Sequence, residues 1–266
     1  MTVLVVTRPQ PQADQWVERL LAMGQPALAL PLLRILPAPG HAEAVEQAWG
    51  AIAQKHYDLV MFVSPNAVLQ FFAARPAEVA GWGAGVIAAA TGPGTVKALR
   101  SVGVAESAIA APADESAQFD AEALWQQHLV QHSWTDRRVL IVRGESGRDW
   151  LAETLRTHGA RVDLIAAYRR LGPDWSEPAM QQAWEHVAAV PVAHAWLFSS
   201  SEAVRALAER LRAEGLPAAQ FFAMTAVATH ERIAETAYRS GFRDVRTSRP
   251  DPESILGILN RPLEST

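Results

Sequence analysis

The strongest constraint on the fold of this chain is an internal repeat. Phe62-Val63-Ser64-Pro65-Asn66-Ala67-Val68 matches Phe198-Ser199-Ser200-Ser201-Glu202-Ala203-Val204. In each copy an apolar, strand-like run gives way to serines placed to cap a helix. In the first copy a proline follows the serine, at the first helical position, where a missing N–H costs nothing. Downstream, Gly92-Pro93-Gly94-Thr95 has its counterpart in Ala226-Val227-Ala228-Thr229, and Val3–Gly24 mirrors Val139–Gly159. Strands alternating with helices throughout predict an α/β chain with parallel sheets. The first block is parted from its natural sequel by the long middle of the chain, so the economical reading is an interrupted domain. Residues 1–36 rejoin 171–266 as one lobe, and 37–170 form a second lobe inserted between them. The chain then crosses between lobes twice, near 30–37 and 164–171, and two crossings can pair as a short ribbon.

The pattern predicts strands over 3–7, 58–63, 86–90, 139–142, 162–167, 195–198, 221–225 and 245–247. A further strand over 27–35 holds Pro31, which marks an edge or an irregular strand. Helices are predicted over 41–54, 65–74, 116–131, 178–190 and 229–240, around Trp16–Met23 and Trp150–His158, from Gly92 to near Gly103, from Ser199 to Ala213, and from Asp251 onward. Arg143–Gly147 reads as a turn at the carboxyl end of a buried strand, and the next strand ends in Tyr168-Arg169-Arg170. In open α/β sheets that edge is where ligands bind.

Several function classes fall away. There are no cysteines, which excludes disulfides, thiolate catalysis and cysteine-ligated metal. A net charge of −4 gives no electrostatic reason to expect nucleic acid. No apolar stretch approaches the roughly 20 residues of a membrane span, and the first residues read as a strand and not as a signal peptide. Gly144-Glu145-Ser146-Gly147 is not a nucleophile elbow. Gly81-Trp82-Gly83-Ala84-Gly85 precedes a strand instead of following one, and no phosphate-loop lysine exists. His128 and His132 share a helix face without a third metal ligand, so no metal site is expected.

What remains is a set of helix starts after buried strands. Each leaves free backbone N–H groups and a partial positive charge, which suit anions. At least four lie on the same predicted edge of two sheets, with Arg8, Arg143 and Arg148 on or near the loops. The expectation is a cleft for a ligand with several negative groups. Tyr168 sits at a strand end beside the arginines, and a phenol stays protonated at neutral pH and can donate a proton.

At this point the sequence resembles the uroporphyrinogen-III synthase family. The resemblance rests on Thr7-Arg8-Pro9, the Phe-x-Ser-x-x-Ala-Val starts at 62–68 and 198–204, Thr91-Gly92-Pro93-Gly94-Thr95, Val142-Arg143-Gly144-Glu145-x-Gly147-Arg148 and Tyr168-Arg169. It implies two similar flavodoxin-like parallel-sheet lobes, one inserted into the other, joined by a two-stranded hinge ribbon, with the active site in the cleft between them. It also implies a cofactor-free cytoplasmic lyase, expected to be a monomer, whose substrate is hydroxymethylbilane, a tetrapyrrole carrying eight carboxylates. By the family pattern Tyr168 is the candidate to protonate the leaving hydroxyl. Arg8, Ser64, Asn66, Thr91, Gly92, Thr95, Arg143, Gly144, Arg148, Ser199, Ser200 and Thr229 are the candidates to bind substrate. The chain departs from the pattern at Ala226-Val227-Ala228, where a glycine-proline turn is usual, and at Glu202, which replaces a neutral polar residue at the position matching Asn66. The alternative is a non-enzymatic two-lobed binding or regulatory protein on the same fold; a regulator usually carries an effector domain, and none is found. A nucleotide-dependent transferase would need the phosphate loop that is missing.

Overall fold

The computed structural model describes residues 2–113, 116, 119–190 and 193–259. The first part of the chain forms β1 (Val3–Val6), α1 (Gln12–Ala22), β2 (Ala27–Ala29), β3 (Arg34–Pro37), α2 (His41–Ala53), β4 (Leu59–Phe62) and α3 (Pro65–Ala73). Then follow β5 (Ile87–Ala90), α4 (Pro93–Ser101), a 3-10 turn (Glu106–Ala108), β6 (Ile109–Ala110), α5 (Ala121–Leu124) and a π-helical turn (Trp125–Leu129). The middle closes with β7 (Arg138–Gly144), α6 (Trp150–Thr157) and β8 (Arg161–Leu171). The remainder is α7 (Pro178–Ala189), β9 (His194–Phe198), α8 (Ser201–Ala213), α9 (Ala218–Phe222), β10 (Thr225–Ala228), α10 (Glu231–Ser240), β11 (Asp244–Thr247) and α11 (Pro252–Leu259). Among the described residues no helix is long and apolar enough to cross a membrane.

The chain divides into two units. One comprises Met1–Ile35 with Leu171–Thr266, the other Leu36–Arg170. In the first unit the sheet runs β11-β10-β9-β1-β2, and every pairing is parallel. Numbered by chain order this is 2-1-3-4-5, the flavodoxin-type doubly wound order. Side chains alternate across each strand. Leu4 and Val6 of β1 pack with Trp16 and Leu20 of α1 and Ile255 of α11. Val5 faces the other way, into a core built from Trp196, Phe198, Trp184, Leu207, Phe221 and Phe242. Burying side chains of this size contributes about 1.5–3 kcal/mol each, before chain entropy is set against it.

In the second unit the sheet runs β3-β8-β7-β4-β5-β6. The pairings from β8 through β6 are parallel. The edge pair is not: the Ala38 N–H donates to the Ala167 carbonyl and the Arg34 guanidinium to the Gly172 carbonyl, so β3 and β8 run in opposite directions. Apart from β3, the order is again 2-1-3-4-5 if β7 is counted first and β8 second. Met61, Val139 and Ile141 pack under Leu124, Trp125, Leu151 and Leu155. On the opposite face Phe62 joins an aromatic cluster with Phe71, Phe72, Trp49 and Trp82, in which the Trp49 indole also donates to the Phe71 carbonyl at 3.2 Å.

The elements depart from the sequence pattern in several places. The apolar run at 27–35 is two strands in two sheets, β2 and β3, because Pro31 and the turn around it separate them. Residues 221–224 are not a strand. Phe221 lies in the helical turn α9 and stacks on Trp184 at 5.6 Å between ring centres, and the strand begins only at Thr225. A short apolar run suits a buried helix as well as a buried strand. The helix expected from 116 starts at Ala121, where the Asp120 carboxylate accepts from the Ala123 N–H at 2.8 Å; residues 117–118 lie outside the described residues. Arg143 and Gly144 belong to β7 and not to a turn, since they pair with Ala166 and Tyr168 of β8 across a bulge. Strand β8 likewise continues through Tyr168 to Leu171. Helix α10 starts at Glu231 with His230 as its cap, so Thr229 precedes it.

Candidate functional site

In a 2-1-3-4-5 sheet the connections from the first and third strands leave toward opposite faces, and a crevice opens between their carboxyl ends. Each unit has such a point, and each is described separately.

In the first unit the crevice lies after β1 and β9. Thr7 closes its floor: both its N–H and its hydroxyl donate to the Leu197 carbonyl, the hydroxyl at 2.7 Å. Ser200 caps α8 by accepting from the Ala203 N–H at 3.1 Å, with Ser199 half-buried beside it. The Thr229 N–H donates to the Phe198 carbonyl at 3.1 Å, which holds that loop against the end of β9. Arg8 follows Thr7 and lies over the Trp16 ring, 4.7 Å from its centre. Its Nε is buried without a hydrogen-bond partner, and burial lowers its pKa to about 10. Arg8 is therefore still a cation at neutral pH, with a donor left unused.

In the second unit the crevice lies after β7 and β4. Ser64 is the cap of α3, accepting from the Ala67 N–H at 3.2 Å, and Pro65 opens the helix. The same Ser64 oxygen lies 3.0 Å from the Tyr168 hydroxyl. The Arg170 guanidinium donates to that hydroxyl at 3.3 Å and sits 5.7 Å from the ring centre. The Tyr168 ring lies directly on Gly144: a Cβ there would stand 3.0 Å from two ring carbons. A side chain there would press the ring aside by a few tenths of an ångström. Tyr168 itself is fully buried, so its hydroxyl communicates outward through half-buried Ser64 and exposed Arg170. Nearby, Gly92 and Pro93 open α4, with Thr95 buried in its first turn. A Cβ on Gly92 would meet Phe119 at 2.8 Å. Asn66 is half-buried in the first turn of α3.

Alternation along β7 sends Arg143 to the face opposite Gly144. There it helps line a pocket of about 240 Å³ with Thr91, Phe119, Arg148, Trp150 and Leu164. Both arginines already hold carboxylates: Arg143 pairs with Asp149, and Arg148 pairs with Glu122. The Thr91 hydroxyl donates to the Val63 carbonyl at 3.3 Å.

Asn66, Gly92 and Thr95 stand at the starts of α3 and α4, and the other predicted residues fall into three groups. Ser64, Gly144 and Tyr168 meet in one hydrogen-bonded cluster. Thr91, Arg143 and Arg148 line the pocket on the other face of the same sheet. Arg8, Ser199, Ser200 and Thr229 stand at the edge of the other unit. Sequence reasoning left Arg170 out of the site, although it lies two residues beyond Tyr168 on a strand and so shares its face. It also missed Trp16 as the platform for Arg8, which the spacing of one helical turn beyond the loop does not reveal. Asp149 and Glu122 gave no signal, because their role depends on which arginine the fold brings to them.

The sequence model of the family described as "Uroporphyrinogen-III synthase HemD" matches residues 14–257. The uroporphyrinogen-III synthase of Salmonella typhimurium is 31% identical over 180 residues, which cover 67% of this chain and 70% of that one. That of Escherichia coli is 26% identical over 259 residues, covering 96% and 99%. A crystal structure of mutant uroporphyrinogen III synthase from Thermus thermophilus is similar with a TM-score of 0.55 at 16% identity, covering 97% of this chain and 96% of that one. The uroporphyrinogen-III synthetase of Helicobacter pylori gives 0.52 at 14% identity, with 97% of each chain covered. The two structures speak for the α/β fold alone. Matched over nearly its whole length, the chain belongs to the uroporphyrinogen-III synthase family.

Proposed function

We propose that this chain acts as a uroporphyrinogen-III synthase, a cyclising lyase of tetrapyrrole and heme biosynthesis. It takes hydroxymethylbilane to uroporphyrinogen III with loss of water and inversion of ring D. The observation that carries the reading is the family match over residues 14–257, on a chain whose two sheets both lead into serine-capped helix starts.

Ring A loses its hydroxyl, the resulting cation is attacked at the substituted carbon of ring D, and a spiro intermediate breaks and recloses with that ring turned over. The protein must fold a flexible polyanion, prevent direct closure and help the hydroxyl leave. The starts of α3, α4, α8 and α10 supply N–H groups for carboxylates. We assign Asn66, Thr91, Gly92 and Thr95 in one unit, and Arg8, Ser199, Ser200 and Thr229 in the other, to substrate binding. Arg143 and Arg148 take substrate carboxylates only by exchange with Asp149 and Glu122, and so carry the lesser share.

Tyr168 is assigned as the source of the proton for the leaving hydroxyl. Its burial and its 3.0 Å approach to Ser64 support a relay in which the serine oxygen is the atom that touches substrate. In this reading the two units act as lobes holding one substrate, with the paired strands β3 and β8 as hinge. Coincident scattering profiles for the free and product-bound protein would remove the hinge.

The direct test is incubation with hydroxymethylbilane and separation of the products. Isomer III is expected in excess of isomer I. Formation of isomer I alone, at the spontaneous rate, would overturn the assignment. Tyr168→Phe is expected to fold and to lower turnover by about tenfold or more, the scale of a lost proton donor; unchanged kinetics would take Tyr168 out of the mechanism.

A further inference from the structure

We infer that Arg170 is a positioning residue that sets the direction in which the Tyr168–Ser64 pair passes its proton. The inference rests on the reading of Tyr168 given above. A guanidinium can only donate, so in the 3.3 Å contact the phenolic oxygen is the acceptor. The Ser64 oxygen already accepts from the Ala67 N–H. At 3.0 Å between the two hydroxyls, either can donate to the other by distance alone. The cation resolves the choice. It draws electron density from the phenolic oxygen, which makes that oxygen a poorer acceptor and its hydrogen a better donor. The tyrosine hydrogen then points at Ser64, and the serine hydrogen is left to face outward. Gly144 holds the ring where this is possible, because any side chain there would displace it.

The chemical step balances. The Ser64 proton passes to the leaving oxygen as the carbon–oxygen bond breaks, and the electron pair departs with that oxygen as water. The Tyr168 proton refills Ser64. The tyrosinate that remains lies beside the Arg170 cation, which stabilises it where the charge forms. The proton released when ring D regains its aromatic character returns to Tyr168, so no outside acid or base is consumed.

The test uses the full chain, hydroxymethylbilane and four variants: Arg170→Met, Arg170→Lys, Tyr168→Phe and the double variant Arg170→Met/Tyr168→Phe. Arg170→Met is expected to lower kcat about tenfold with KM little changed. Arg170→Lys recovers part of the loss, since it keeps a cation and a donor. Arg170→Met adds nothing further in the Tyr168→Phe background, because both act through one hydroxyl. A raised KM with intact kcat would make Arg170 a carboxylate contact and overturn the inference, as would losses that multiply in the double variant. Slow turnover in Tyr168→Phe with an unaffected Arg170→Met would overturn the Arg170 assignment alone. A fully active Tyr168→Phe would overturn the relay and Arg170 with it. Thermal unfolding of each variant identifies loss of folded protein; if Arg170→Met does not fold, the same kcat and KM readings are taken on Arg170→Gln.

Discussion

The two sheets share one strand order and differ in where the chain enters it. In the unit that begins at Met1, the pair β1 and β2 comes first. In the unit from Leu36 to Arg170, the equivalent pair β7 and β8 comes last. The crevice therefore opens at the same point of each sheet, and Ser64 and Ser200 stand at matching helix starts. What surrounds those serines is not alike. Beyond β7, strand β8 lays Tyr168 on Gly144 and brings its hydroxyl to Ser64. Beyond β1, strand β2 leads into buried Leu30 and Leu32, and the cation at that edge is Arg8 on its Trp16 platform, with the Glu202 carboxylate in the first turn of α8. The scaffold decides where a ligand-facing group can stand and leaves open what stands there. On the proposed reading, one edge moves a proton and the other holds a carboxylate.

The largest expected effect attacks the shelf under Tyr168. Gly144→Ala forces a methyl to 3.0 Å from the ring, and overpacking of this kind costs about 1–3 kcal/mol. Urea denaturation should show that loss, together with the kcat loss of Tyr168→Phe. Gly94→Ala is the control, since its Cβ would meet only Pro65 at 3.5 Å, an ordinary contact. Next comes the matched pair of caps. Ser64→Ala should lower kcat about tenfold or more, while Ser200→Ala should cost only about 1 kcal/mol of stability through the lost cap. Equal losses of kcat in the two variants would dissolve the division of labour between the edges.

Arg8→Met sharpens the comparison from the other side. KM should rise several-fold at constant kcat, with the folded protein no less stable at pH 7. The sign follows from burial, which holds the folded-state pKa at about 10, below the ordinary guanidinium range. The penalty for burying the cation is thus fully present at pH 7, and it fades as pH rises above about 10. A Met variant that melts earlier than the parent at pH 7 would show that the Trp16 contact outweighs the penalty. The smallest effect is expected for Arg148→Met. Its pairing with Glu122 is largely exposed, and such pairs contribute about 0–1 kcal/mol. KM should change by about twofold or less, and a large rise would mean that the arginine releases Glu122 to reach substrate.

Much of this arrangement was legible because it is written in local chemistry. A serine after an apolar run reads as a helix start, the more so when proline follows as at Ser64-Pro65, and Ser64 and Ser200 are caps in the structure. The kinship of Val3–Gly24 with Val139–Gly159 likewise reflects one strand–helix pattern, β1–α1 and β7–α6. The failures have physical causes. Phe221 and Phe222 are apolar in any conformation, and only the ring of Trp184 shows that the first belongs to a helix. Arg143 and Gly144 look like a turn until β8 pairs with them. Two residues, Ile109 and Ala110, are too few for any periodicity to reveal an edge strand. The carboxylates on Arg143 and Arg148 come from residues whose neighbours in space cannot be read from their neighbours in sequence.

The hydroxyl of Thr7 donates to a carbonyl that comes 190 residues later in the chain. During synthesis, β1 and β2 leave the ribosome long before β9 exists to flank them, whereas every strand between Leu59 and Arg170 has been made once β8 is complete. The middle of the polypeptide is thus expected to reach its native state first, with the opening segment held in waiting as a two-strand fragment whose β9-facing edge is exposed to chaperones and proteases. Nascent chains arrested at Val190 should yield a protease-resistant core from about residue 36 to 170 and lose their first 35 residues rapidly. Survival of that opening segment in the arrested chain would show that it finds a partner before its own sheet is available.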